Sequence, residues 1–144
     1  MAILSVRDLQ KSYGEGALRQ SVINGLSFSL NRGECYGLLG PNGAGKTTTL
    51  KLCLGLTVPD HGDITLVNYS VPSQAREARR RIGVVPQLDS LDPDFTVEEN
   101  LLVYSRYFGI SDASARSRMD WLLEFASLTA KRNARIAELS GGMK

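Results

Sequence analysis

Apolar and polar positions alternate along the first third of the chain and then change period. Ile3 to Gln10 alternates (Leu4 and Val6 against Ile3 and Ser5, then Leu9), as a half-buried strand does. Val22 to Leu30 repeats the pattern with Ile23, Leu26, Phe28 and Leu30, and Asn24-Gly25 supplies turn chemistry. Cys35-Tyr36-Gly37-Leu38-Leu39 is instead a short continuous apolar run, the signature of a strand covered on both faces in a parallel sheet. Leu50, Cys53 and Leu54 then fall at helical spacing within Lys46 to Leu56. Pro59-Asp60-His61-Gly62 ends that helix and turns into a strand over Asp63–Val67. Arg76 to Arg81 reads as a short basic helix or helix end, and Ile82-Gly83-Val84-Val85-Pro86 as a second buried strand.

Beyond residue 95 the period is helical. Thr96-Val97-Glu98-Glu99 is a capping box, in which hydroxyl and carboxylate satisfy exposed helix-start amides. Val97, Leu101, Tyr104 and Phe108 share one face behind it, and Gly109 ends the helix. Asp112 to Ala126 follows with Ala115, Met119, Leu122 and Ala126 as its apolar stripe. The chain therefore divides into an α/β part over residues 1–95 and a helical part over residues 96–144. No internal repeat or low-complexity segment interrupts it.

Composition adds only exclusions. With 144 residues, a formal net charge of +2 and 22% charged residues, the chain is an ordinary globular domain or slightly less. The charge is too balanced for a nucleic-acid partner or for binding to an anionic membrane surface. The basic run Arg76, Arg79, Arg80, Arg81 reads as a solvated helix face, with acidic residues close by. No stretch approaches the ~18 apolar residues of a membrane-spanning helix, and the start lacks the features of a signal peptide. Direct membrane insertion is therefore not expected. Cys35 and Cys53 lie in apolar surroundings, as buried, reduced thiols of a cytosolic protein do.

The chemistry is concentrated between the two periods. Gly40-Pro41-Asn42-Gly43-Ala44-Gly45-Lys46-Thr47 is a complete G-x-x-x-x-G-K-[ST] phosphate loop between an apolar run and a helix, the context that motif requires. Glycines at 40, 43 and 45 allow backbone amides to converge on a triphosphate without side chains intervening. The helix that begins near Gly45 adds unsatisfied N–H groups and its positive dipole end. Lys46 places a charge at the β- and γ-phosphates, the Thr47 hydroxyl can ligate Mg²⁺, and Thr48 can donate to the α-phosphate. ATP and Mg²⁺ are the expected ligands. Ser140 in Leu139-Ser140-Gly141-Gly142-Met143 is a good N-cap, so this stretch is expected at the mouth of a helix.

The phosphate loop and the Leu139–Met143 signature, in that order, resemble those of the ABC transporter ATPases, over essentially the whole chain. The resemblance implies an α/β P-loop fold of the ABC ATPase type: a mixed β-sheet core around the loop helix plus a helical subdomain. It also implies roles for two residues that mean little alone. Tyr13 matches the aromatic that stacks on adenine, and Gln87 the glutamine that touches Mg²⁺ and the attacking water. Ser140, Gly141 and Gly142 match the signature that acts in trans on a partner's ATP. Each chain would then carry half of each of two ATP sites, an arrangement that needs a second ATP-binding subunit, as a homodimer. An integral membrane permease would complete the complex at the cytoplasmic face of the bacterial inner membrane. Met143 stands where the family more often has Gln.

The acidic stretch Asp89, Asp92, Asp94, Glu98 and Glu99 is either a charged loop and helix start or, by the same analogy, part of the groove for the permease's cytoplasmic helix. His61, in its Pro-Asp-His-Gly turn, reads as an exposed turn residue, because the family's switch histidine lies further along the chain. No buried strand here ends in the acidic residue that a P-loop ATPase uses to hold magnesium. The chain is accordingly expected to be an N-terminal piece, truncated before that strand, lacking both base and switch histidine, and inactive alone.

Within the family the chain is most similar to the ATP-binding subunits of nodulation-factor exporters, which move lipo-chitooligosaccharides out of symbiotic bacteria. Arg81–Gln87, Phe95–Tyr104, Arg106–Gly109, Leu123–Ala126 and Met143-Lys144 carry that similarity. Related drug and polysaccharide exporters are the alternative, and a soluble ABC ATPase without a transporter is a further one.

Overall fold

The computed structural model describes residues 2–86 and 90–143, which form two compact units, Met1–Gly83 and Val84–Lys144. The first is built on a four-stranded antiparallel sheet ordered β2-β1-β3-β4. Its strands are β1 (Ala2–Tyr13), β2 (Gln20–Asn31), β3 (His61–Leu66) and β4 (Tyr69–Val71). Both long strands outrun the alternating stretches. Asn24-Gly25 proves to be no turn between strands: it lies inside β2, where Gly25 takes φ +69° at a slip in the β1 register. β4 has too few residues to show a period. Its hairpin turns on Val67 and Asn68, both with positive φ, as a two-residue primed turn requires.

One face of the sheet carries α1 (Lys46–Cys53) and α2 (Ala75–Arg79). Val6, Leu9, Ile23, Ile64, Leu66 and Val71 from the strands close over Leu52, Cys53, Ala75 and Ala78. Removing a leucine side chain such as Leu52 from water contributes about 2 kcal/mol. Leu50, expected on this face, is exposed, and the buried positions of α1 are Thr49, Leu52 and Cys53. The helix is also shorter than its sequence period, ending at Cys53.

Two expected strands are absent. Cys35–Leu39 and Ile82–Pro86 form no ladder, and Leu39 and Val85 are almost fully exposed. A strand covered on both faces exists only through hydrogen bonds to neighbours. Among the described residues none pairs with either run. Cys35 is consequently exposed, whereas Cys53 is buried as expected. Burial pushes the Cys53 thiol up to about 11.

The second unit packs α3 (Val97–Tyr107) against α4 (Asp112–Phe125). The capping box is present as read: the Glu99 amide donates to the Thr96 hydroxyl at 3.3 Å, and the Thr96 amide to the Glu99 carboxylate at 2.8 Å. Val97, Leu102, Ala115, Met119, Leu123, Ile136 and Leu139 make the core. The stripe of α4 thus runs through Leu123. Leu122 and Ala126, expected inside, are exposed along the wall of an apolar cavity of about 380 Å³ that Leu101, Tyr104, Leu128 and Met143 also line. Phe108 is exposed too.

Glu98 is the polar hinge of this unit. It accepts from Arg116 at 2.5 Å and from Arg132, which in turn donates to Asp120 at 2.6 Å. Among the described residues no helix is long and apolar enough to cross a membrane.

Candidate phosphate-binding site

The loop between the sheet and α1 is shaped by its last glycine. Gly45 is the N-cap of α1 with φ +83°, a left-handed conformation costly for any other residue. A Cβ there would lie 2.9 Å from the Val22 carbonyl oxygen, so the loop can seat against β2 only without a side chain. The Gly45 carbonyl accepts from the Thr49 amide at 2.8 Å and from the buried Thr49 hydroxyl at 3.0 Å, locking the first turn. Upstream, the Ala44 amide donates to the Pro41 carbonyl at 3.2 Å, closing the turn through Asn42 and Gly43. The first-turn amides of α1, at Lys46, Thr47 and Thr48, have no intrahelical acceptor and lie behind a solvent-exposed loop.

Lys46 completes the loop. Its ammonium donates to the Gly40 and Pro41 carbonyls at 2.6 and 2.7 Å, so the side chain reaches back over the loop rather than out into solvent. Neutral carbonyls are weak partners for a cation compared with phosphate oxygens, and the same three donors can transfer to such oxygens. A glycine cradle, a helix start and an ammonium converge on one space, and they fit a polyphosphate. For a magnesium ion the described residues supply the exposed Thr47 hydroxyl and no cluster of three His, Cys, Asp or Glu.

The other expected site residues divide between the units. Tyr13 ends β1 as a 45% exposed residue, at the head of the turn that leads into β2. Ser140, Gly141 and Gly142 are exposed at the end of the second unit, where Gly141–Met143 forms a single 3₁₀ turn closed by the Met143 amide on the Ser140 carbonyl at 2.9 Å. Gln87 and Asp89 lie outside the described residues. His61 opens β3 with an exposed side chain 3.2 Å from the Asp8 carboxylate, part of a strand rather than a free turn.

Two residues that sequence reasoning treated as bland are structurally busy. Arg79, assigned to a solvated face, donates to the Leu54 carbonyl at 2.7 Å and so caps the far end of α1. Asp60, read as turn chemistry, gathers Lys11, Ser12 and Arg19. Neither carried a local signal, because each partner lies more than twenty residues away.

The family model described as ABC transporter matches residues 23–144. The chain belongs to the ABC transporter family. Nod factor export ATP-binding protein I of Burkholderia orbicola is 61% identical to this ABC transporter chain over 144 residues, covering all of the chain and 46% of that protein. The protein of the same name from Ralstonia nicotianae is 58% identical over 142 residues, covering 99% of the chain and 43% of that protein. The chain thus spans about half the length of the curated relatives it matches. Among solved structures, an ATP-binding subunit of an ABC transporter superposes with a TM-score of 0.79 at 34% identity, over 98% of the chain and 57% of that structure. A dimeric ATP-binding cassette in a post-hydrolysis state, bound to ADP and Pi, gives 0.80 at 26% identity, over 97% and 64%. The ABC ATPase P-loop fold expected from the sequence is therefore the fold of this chain.

Proposed function

We propose that this chain is the phosphate-gripping part of the ATP-binding and ATP-hydrolysing subunit of an ABC export complex, and that the complex exports Nod factors. The observation that carries the reading is the loop itself: Gly45 seated against Val22, the first-turn amides of α1 behind it, and Lys46 folded over it. In this reading Gly40, Pro41, Asn42, Gly43, Ala44 and Gly45 wrap the triphosphate, Pro41 shaping the turn without an N–H to offer and the others through main-chain amides. Lys46 carries charge to its terminal phosphates, Thr48 donates to the α-phosphate, and Thr47 with Gln87 holds Mg²⁺, which offsets the charge that builds on the phosphates. Gln87 also orients the attacking water, and Tyr13 stacks on adenine.

Ser140, Gly141 and Gly142 act on ATP held by a second subunit, which supplies the same residues in return. The dimeric cassette among the structural neighbours supports that pairing. A membrane permease then receives the motion of the helical unit at the cytoplasmic face of the inner membrane. The relatives named for Nod factor export, at 56–61% identity, support the cargo.

In the purified full-length subunit, Lys46→Ala should lower ATP turnover by about 10²–10³-fold; undiminished turnover would show that the loop is not the reacting site. The 144-residue piece alone should release almost no phosphate. Cells lacking the subunit should stop secreting Nod factor and recover when it is restored, and unchanged secretion would remove the cargo reading while leaving the ATPase reading intact.

A further inference from the structure

On its β3 side the end of β1 is held by Asp60 rather than by a strand, while β2 stays paired with it through Tyr13. The β1–β3 ladder stops at the Gln10–His61 pair, and among the described residues no strand lies beyond it on that edge. Asp60 takes its place. Its amide donates to the Gln10 carbonyl at 2.9 Å, and its carboxylate accepts from the Ser12 amide at 2.8 Å and the Lys11 ammonium at 2.9 Å. The same carboxylate accepts from Arg19, on the returning limb of the turn, at 3.2 Å. Both ends of the Tyr13–Arg19 turn are therefore tied to a single residue. Gly14 makes the turn possible, since with φ +88° a Cβ would sit 2.5 Å from the Leu18 carbonyl oxygen.

Lys11 and Tyr13 are two residues apart on a strand, so their side chains share a face. The Lys11 ammonium lies over the Tyr13 ring, 5.4 Å from its centroid, within cation–π range. The β1–β2 ladder slips between Lys11 and Ser12 and resumes at the Ser12–Ser21 and Tyr13–Gln20 pairs, which fix the backbone at Tyr13 and leave the rotamer of its ring to neighbouring side chains. The ion pair supplies the missing constraint. Its cation lies over the ring, and Tyr13 as a residue stays half exposed.

We propose that Asp60 and Lys11 are positioning residues for nucleotide binding: Asp60 fixes the backbone at Ser12 and the Lys11 ammonium, and Lys11 holds the Tyr13 ring so that its free face meets a planar base. The proposal rests on the reading of Tyr13 as the adenine platform. A ring already ordered loses less rotamer entropy when the base arrives, which appears as affinity.

Calorimetric titration of the full-length subunit with magnesium-ATP and, separately, with magnesium tripolyphosphate tests this. Tyr13→Ala, Asp60→Asn and Lys11→Met should each weaken ATP binding by about fivefold to tenfold, the scale of one lost stacking contact, and leave tripolyphosphate binding unchanged. Lys11→Arg should restore the affinity, and Asp60→Asn should add nothing in a Tyr13→Ala background. Lys11→Met alters no backbone bond and carries the test if Asp60→Asn fails to fold. Wild-type ATP affinity in Lys11→Met, an equal loss of tripolyphosphate, or a full additional loss in the double variant would overturn the positioning role. Unchanged ATP affinity in Tyr13→Ala would instead overturn the platform reading, and the proposal with it.

Discussion

The Tyr104 hydroxyl donates to the Ser90 carbonyl oxygen at 2.7 Å and lies 2.8 Å from the Ser90 hydroxyl. Ser90 follows Gln87 by three positions in the chain, while Tyr104 sits in the third turn of α3. One phenol therefore fastens the start of the second unit to its first long helix. Tyr104→Phe keeps the ring and loses the bond, so thermal unfolding should show about 0.5–1.5 kcal/mol less stability. If Gln87 orients water as proposed, ATP turnover in the full-length subunit should fall while ATP affinity holds. A variant with wild-type stability and turnover would show the bond to be incidental.

Glu98 gives the second unit an acid sensitivity of known sign. The hydrogen bond from Arg132, aided by the charges of Arg132 and Arg116, holds its carboxyl below the ordinary 4.5. A carboxyl depressed on folding contributes stability above its unfolded value, and that contribution is lost as pH falls through the folded value. Stability should thus be level near neutrality and drop below about pH 4.5. Arg132→Met should remove part of the neutral stability and flatten the acid limb. Denaturant melts across that range, followed by helical circular dichroism, would read both effects.

Gly45→Ala should damage folding and binding together. The new methyl meets the Val22 carbonyl at 2.9 Å, and alanine must hold φ +83°. Strain of this kind costs about 1–3 kcal/mol, visible as a lowered melting temperature. Calorimetry with ATP should show the larger loss, because relaxing the strain moves the first-turn amides. Normal melting and normal binding would mean that the close approach to Val22 is dispensable.

Cys53 should be chemically silent in the folded protein. Only the thiolate reacts, and burial keeps the group protonated far above neutral pH. Peptide mapping after iodoacetamide treatment near pH 8 should find Cys53 unlabelled until denaturant is added. Rapid native labelling would imply that the core around Leu52 opens readily.

How much could be read from the residues follows from the range of the interactions involved. The phosphate loop and the capping box at Thr96 are each closed within a few residues, and each was legible in the sequence. The apolar runs at Cys35–Leu39 and Ile82–Pro86 announced burial, yet strand pairing is a property of distant partners, and no described strand stands beside them. The face of α4 was misjudged by one position. Spacings of three and four residues both keep a helical stripe, and only packing against α3 and Ile136 selects Leu123 over Leu122. Asp60 was read as a turn former because its three partners are remote in sequence. The candidate loop was thus visible at once, and the scaffold that orients Tyr13 was not.

Gly45 against Val22 anchors α1 at its start, and the Arg79 guanidinium on the Leu54 carbonyl anchors it at its finish. A short rod pinned at both tips cannot fray to absorb a load. A displacement at Lys46 is therefore felt by β2 through Val22 at one tip and by α2 through Arg79 at the other.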